Sequence, residues 1–131
     1  MERKQVLAAL AALASETRLD LVRLLVEAGD KGLAAGEIGR RLGIAASRLS
    51  FHLAALEQAG LVSSRRESRN VIYAASFRGI GQTFGYLLND CCLDHPEVRA
   101  CCRARGECAG GTGPAAPAPG LVIPAEPPAG R

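Results

Sequence analysis

The sequence predicts a mainly α-helical domain carrying one small β-hairpin, in the order α-α-α-α-β-β-α, and three observations lead to it. Between Gln5 and Ala59, four stretches repeat apolar residues at three- and four-residue steps, as one face of a helix requires. Two β-prone runs, Leu61-Val62-Ser63-Ser64-Arg65-Arg66 and Val71-Ile72-Tyr73-Ala74, then flank the polar tetrad Glu67-Ser68-Arg69-Asn70. Finally Phe77, Ile80, Phe84, Leu87 and Cys91 return to helical spacing. The length of 131 residues suits one domain and a tail.

The first helix runs from Gln5 to Ala14, with Val6, Leu7, Leu10, Leu13 and Ala14 as its apolar positions. Ser15 is a good N-cap for the second, and Glu16 suits its positive end. Leu19, Val22, Leu25 and Val26 form the expected buried stripe of that helix, which Gly29-Asp30-Lys31-Gly32 ends. A short third helix spans about Ala34 to Leu42 and breaks at Gly43. The fourth runs from Ala45 to Ala59, buries Leu49, Leu53 and Leu56, and stops at Gly60. A short helix, a tight turn and a second helix make a helix-turn-helix. A hairpin directly after it is a wing, so the expected fold is a winged helix-turn-helix.

In the last helix Gly79, Gly81 and Gly85 each cost roughly 1 kcal/mol relative to Ala. Their small size is expected to admit a partner helix. Pro96 ends any helix continuing past Asp94, and Leu93 to Ala100 reads as a loop. From Ala109 onward the chain is Gly, Pro and Ala with few charges, a composition expected to be disordered. No apolar window approaches the ~18 residues of a membrane span. Met1-Glu2-Arg3-Lys4-Gln5 does not read as a secretory leader, so the cytoplasm is the expected location.

A net charge of +3 is a weak argument for nucleic acid. Its distribution says more: Arg40, Arg41, Arg48, Arg65, Arg66 and Arg69 fall between Ala34 and Ala75. Arginine suits bidentate contact with phosphate and guanine. A helix entering the major groove needs short or polar side chains on its leading turn. Here that turn leaves Ala46, Ser47, Arg48, Ser50 and Phe51 outward or flanking. Arg48 reaches toward a guanine edge, and Ser47 and Ser50 toward phosphate or base edges. His52 reads as structural or phosphate-facing rather than as a base reader. Arg65, Arg66 and Arg69 on the wing are candidate phosphate contacts.

The run Ala14-Ser15-Glu16-Thr17-Arg18-Leu19 with Leu24-Leu25 resembles the second-helix signature of the ArsR/SmtB metalloregulators. Leu49-Ser50-Phe51-His52-Leu53-Ala54-Ala55-Leu56-Glu57-Gln58-Ala59-Gly60-Leu61-Val62 is similar to that family's recognition-helix-to-wing segment. The resemblance covers about Gln5 to Cys102. It implies a homodimer built from the first and last helices, repression by binding double-stranded operator DNA, and release on effector binding.

All five cysteines, Cys91, Cys92, Cys101, Cys102 and Cys108, lie in one short stretch. The odd count in an expected reducing compartment argues for a ligand or redox site rather than a disulfide framework. Thiolates are soft ligands. Cys91 and Cys92 offer two sulfurs from one helix end, and Cys101 or Cys102 supplies a third. Three thiolates without a clear fourth ligand suit arsenite or antimonite, whereas zinc takes four. The resemblance points the same way. Ala34-Ala35-Gly36-Glu37-Ile38 lacks the cysteines some members carry there, and Phe77 to Asp90 lacks the family's zinc-type ligands. The C-terminal Cys-Cys pair resembles that of the arsenic-responsive group. His95 is a possible extra ligand for zinc or cadmium, and Cys108 reads as a bystander.

The expected organisation is therefore a DNA-binding and dimerisation domain over 1–92, a cysteine-rich effector segment over 91–108, and a tail over 109–131. No obligatory cofactor is expected. The alternative effectors are a divalent soft metal ion or thiol redox state. A thiol enzyme is a distant rival: there is no Cys-x-x-Cys in a βαβ context, no phosphate loop and no HExxH. An interaction module that does not bind DNA is a third, opposed by Arg48, Arg65, Arg66 and Arg69.

Overall fold

The structure, a computed structural model, describes residues 1–104. Cys108 and the expected tail over 109–131 lie outside the described residues. The chain divides into a unit of Met1–Leu87 and a second unit that starts at Leu88.

In the first unit, helices α1 (Arg3–Leu13), α2 (Glu16–Ala28), α3 (Ala35–Leu42), α4 (Ala46–Gln58) and α5 (Phe77–Tyr86) surround one core. Ser15 caps α2, its hydroxyl accepting from the Arg18 backbone N–H at 3.3 Å. Ser76 caps α5 the same way, from Gly79 N–H at 3.0 Å. Leu21, Leu25, Ile38, Leu49, Leu53, Leu56, Leu61 and Val62 fill the core.

Leu19 and Val26 do not join the buried stripe of α2, being 53% and 42% exposed. At about 100° per residue they fall roughly 100–160° around the helix from Leu21 and Leu25, which take the core side. On α1 the buried positions are Val6, Ala9 and Ala12, and Leu7 faces outward.

The hairpin forms as expected from β2 (Val62–Glu67) and β3 (Asn70–Ala75), antiparallel with Arg65 opposite Ile72. Glu67 pairs with Asn70, so the turn itself is only Ser68-Arg69, with Ser68 at φ 58°. A third strand, β1 (Leu33–Ala34), adds to β3 with Leu33 opposite Tyr73. The sheet order is β1-β3-β2. Two residues are too few for an alternating pattern, so β1 had no periodic signal. What permits the pairing is Gly32: at φ 70° a Cβ there would lie 2.4 Å from the Tyr73 carbonyl oxygen.

The long last helix is instead two pieces. Tyr86 ends α5, and Leu87–Cys91 forms a π-helical turn. Beyond it, α6 (Pro96–Arg103) occupies the stretch expected to be a loop. Pro96 stands at its start, where the missing N–H costs nothing and the fixed φ is already helical. His95 caps α6, its Nδ1 accepting from Glu97 N–H at 3.1 Å.

One glycine of α5 makes a close approach inside its own unit. A Cβ at Gly79 would sit 1.9 Å from the Gly60 carbonyl oxygen, within this same unit, whereas at Gly81 or Gly85 it would meet nothing within 4 Å. The close approach that a small residue permits is thus made to the α4–β2 turn.

Candidate nucleic-acid interface and thiol site

Gly43, left-handed at φ 66°, turns the chain from α3 into α4. Because Leu49, Leu53 and Leu56 hold one face of α4 in the core, the opposite face is presented outward. Ala46, Ser47, Arg48 and Ser50 are all exposed, and Phe51 is 65% exposed. Ala45 precedes the helix without a side-chain cap, and among the described residues no side chain accepts from the first-turn N–H groups. The structure therefore gathers the residues singled out on the leading turn into one open surface.

His52 is half-buried and turned toward α2. Arg18 Nε donates to its Nδ1 at 3.0 Å. The same guanidinium donates through Nη1 to the Ala12 carbonyl at 3.4 Å and lies 5.6 Å from the Phe51 ring centroid. The Phe51 and His52 rings meet edge to face at 5.5 Å. Burial, then the positive charges of Arg18 and Arg48, lowers the His52 pKa below its ordinary 6.5. Sequence reasoning quoted Arg18 within a motif but gave it no role, because its partner on α4 lies thirty-four positions away.

The arginines divide into two groups. Arg40 and Arg41 both pair with Glu37 on α3. Arg65 pairs with Glu67 at 2.8 Å and donates to the carbonyls of Asp30 and Lys31 at 3.3 and 2.8 Å, tying the wing to the turn after α2. Arg48, Arg66 and Arg69 have no side-chain hydrogen bond or ion pair among the described residues. They are the guanidiniums this surface can offer to a ligand.

In the second unit the π-helical turn ends at Cys91, and the chain reverses through Leu93 (φ 52°) and Asp94 (φ 55°). Asp94 N–H donates to the Leu88 carbonyl at 2.7 Å, and Arg99 pairs with the Asp94 carboxylate at 3.2 Å. Cys91, Cys92 and Cys102 are free thiols, while Cys101 is disulfide-bonded. Desolvation raises the Cys92 pKa, and the neighbouring Cys91 and Cys102, with a hydrogen bond between the Cys91 and Cys92 thiols, raise it further. Cys92 thus lies within electrostatic reach of both other free thiols. Among the described residues, no three His, Cys, Asp or Glu side chains are gathered closely enough to hold a metal ion as they stand. His95 uses Nδ1 to cap α6.

A helix-turn-helix pair with an uncovered second helix, followed by an arginine-bearing hairpin, defines a winged helix-turn-helix regulator. Comparison with known proteins agrees. Residues 13–65 match a family described as a helix-turn-helix domain. The chain is 32% identical over 89 residues to the HTH-type transcriptional regulator YgaV of Escherichia coli, covering 68% of this chain and 88% of that protein. It is 42% identical over 67 residues to the transcriptional activator HlyU of Vibrio cholerae, a match to 51% of this chain and only 59% of that relative. Among solved structures, the homodimeric winged helix-turn-helix DNA-binding domain of Mb0332 from Mycobacterium bovis, a possible ArsR-family regulator, superimposes with a TM-score of 0.55 at 29% identity. That match covers 72% of this chain and 84% of the other. The chain belongs to the ArsR family of winged helix-turn-helix transcriptional regulators. Its relatives are named as regulators, not as enzymes. No helix among the described residues is long and apolar enough to cross a membrane.

Proposed function

We propose that this protein is a dimeric repressor that binds duplex operator DNA through α4 and the wing and is released when trivalent arsenic or antimony binds its C-terminal thiols. The observation that carries the DNA reading is the open leading turn of α4, with Arg48 unpaired on it and Arg66 and Arg69 unpaired on the hairpin. In this reading Ala46, Ser47, Arg48 and Ser50 meet base edges and nearby phosphates, and the wing arginines meet the backbone. Uncapped N–H groups at the start of α4 suit a phosphate oxygen. Dimerisation is supported by Leu7 on α1 and Phe77 and Phe84 on α5, which are 59%, 47% and 48% exposed on two helices that pack together. Such an apolar face on a small protein suits a second copy.

For the effector, the support is three free thiols, Cys91, Cys92 and Cys102, beside a cysteine already engaged in a disulfide. Cys102 is the third thiol free in this structure, and reduction of the disulfide makes Cys101 available as well. Burial and the neighbouring thiols favour the protonated form of Cys92. This suits arsenous acid, which is itself neutral. Each S–H exchanges with an As–OH, forming S–As and releasing water, with no change of oxidation state and no net proton release. Since the three sulfurs are not gathered in advance, the ligand must draw them together. Release then requires it to bind the DNA-incompetent form more tightly.

The disulfide at Cys101 favours a second reading, a redox switch. One titration separates the two. Reduced protein on a labelled duplex from its own upstream region is followed by fluorescence anisotropy during addition of arsenite, antimonite, cadmium or hydrogen peroxide. Arsenite or antimonite is expected to release the DNA, and the Cys91→Ser/Cys92→Ser double variant is expected to bind DNA without responding. Full release of that variant by arsenite overturns the effector reading, and release by peroxide alone replaces it with the redox one. Loss of the gene is expected to raise the downstream transcript, and a fall would make the protein an activator.

A further inference from the structure

Arg18 lies on α2, outside the helix assigned to DNA, yet its guanidinium makes three contacts at once, two of them with the flank of that helix. It donates to a carbonyl at the end of α1, donates to His52 on α4, and stands by the face of Phe51 on α4. The Ala12 carbonyl belongs to the last turn of α1, where carbonyls lack helical partners. Its own backbone N–H is held by the Ser15 cap, so the start of α2 fixes where the side chain begins.

The direction of the His52 bond has a chemical consequence. Arginine can only donate, so Nδ1 of His52 must be the accepting, unprotonated nitrogen. The ring proton is then on Nε2. A protonated imidazole has no acceptor and would set a second cation against Arg18. The contact therefore selects one of the two neutral tautomers and makes Nε2 a hydrogen-bond donor, the polarity that a phosphate oxygen or a base acceptor needs.

We propose that Arg18 is a positioning residue for DNA recognition. It holds His52 as the neutral Nε2–H donor and pins the flank of α4 to the α1–α2 corner. The inference rests on the DNA-binding reading above and adds to it a residue that never touches DNA.

The test uses the full-length protein and two variants. Arg18→Lys keeps the charge but lacks the planar fork that serves a carbonyl and an imidazole together. Arg18→Gln removes the charge. Thermal melts at one protein concentration confirm folding. Long-range nitrogen–proton NMR then reads the His52 tautomer without any DNA present, and the chain holds only two histidines to assign. Wild type is expected to show a protonated Nε2 and a bare Nδ1, and both variants a mixture. Operator affinity is expected to fall about tenfold in either variant, the scale of one well-placed hydrogen bond. The slope of log K against log salt should stay as in wild type, since no phosphate contact is removed. Combined with His52→Ala, the Arg18 variants should cost little further.

A slope reduced by about one means that Arg18 touches phosphate itself and overturns the proposal. Additive losses in the double variants overturn it too, as does an Nδ1–H tautomer in wild type. If wild-type protein binds no duplex, the DNA-binding reading fails along with this one. If wild type binds and the Arg18 variants bind equally well, only this proposal fails.

Discussion

Gly79→Ala sets two known effects against each other, and the structure decides which wins. In a helix interior, alanine is better than glycine by about 1 kcal/mol. On that basis alone the substitution stabilises α5. The added Cβ, however, would lie 1.9 Å from the Gly60 carbonyl oxygen, 3.0 Å from its carbon and 3.1 Å from Ser76 Oγ. Carbon and oxygen make close contact at about 3.3 Å, so the helix must retreat by roughly 1 Å or more. The obstacle is backbone, in a turn where Gly60 sits at φ 81°, and cannot rotate aside as a side chain can. Overpacking of this kind costs about 1–3 kcal/mol, and a retreating α5 also disturbs the Ser76 cap beside it. With the clash near the upper end, Gly79→Ala is expected to destabilise by about 1–2 kcal/mol after the helical gain is subtracted. Gly36→Ala is the control: it lies on α3, away from the proposed dimer face, a Cβ there meets nothing within 4 Å, and it should stabilise by up to about 1 kcal/mol. Urea unfolding followed by circular dichroism, at one protein concentration because a dimer's stability depends on it, measures both. A Gly79→Ala protein as stable as wild type would refute the reasoning.

Two further outcomes concern protons. His52 has a folded pKa below its ordinary 6.5, so between the two values the unfolded chain binds the extra proton. Its contribution to stability is complete above about 6.5 and is lost as the pH falls toward the folded value. Unfolding free energies of wild type and His52→Gln, compared from about pH 7.5 down to 5.5, should converge or cross as wild type loses more, and curves that stay parallel count against it. At the thiols, calorimetric titrations in buffers of different ionisation enthalpy should give arsenite the same heat in each, because S–H exchanges for As–OH without proton release. Cadmium heats should differ between buffers, since a metal ion displaces thiol protons. Buffer-dependent arsenite heats would show that protons are released and would refute the exchange of S–H for As–OH.

Much of the fold was legible because it is local. The helix start at Ser15 and the stops at Gly29 and Gly43 follow from side-chain capping and from φ values that glycine reaches without strain. The wing was legible from two β-prone runs about a turn-prone tetrad. The leading turn of α4 was legible because burying Leu49, Leu53 and Leu56 leaves only one face for everything else.

What escaped depends on partners far along the chain. Strand β1 exists because Gly32 lets the backbone come against Tyr73, and two residues carry no pattern. The core side of α2 passed to Leu21 and Leu25 because the elements packed on it lie there, and periodicity alone offers an amphipathic helix more than one apolar arc. Pro96 reads as ending a helix within a loop, but proline equally suits a helix's first position, and with the cap at His95 it starts α6.

The sequence by itself thus determined the class of protein, the outward turn of α4 and the concentration of cysteines in one stretch, since periodicity, capping and spacing are properties of residues and their order. Only the tertiary structure decided that Arg18 faces His52, that Arg65 braces the wing while Arg66 and Arg69 stay open, and that Gly79 receives the Gly60 carbonyl. These are meetings between segments remote in sequence, which folding brings about and which no local pattern encodes.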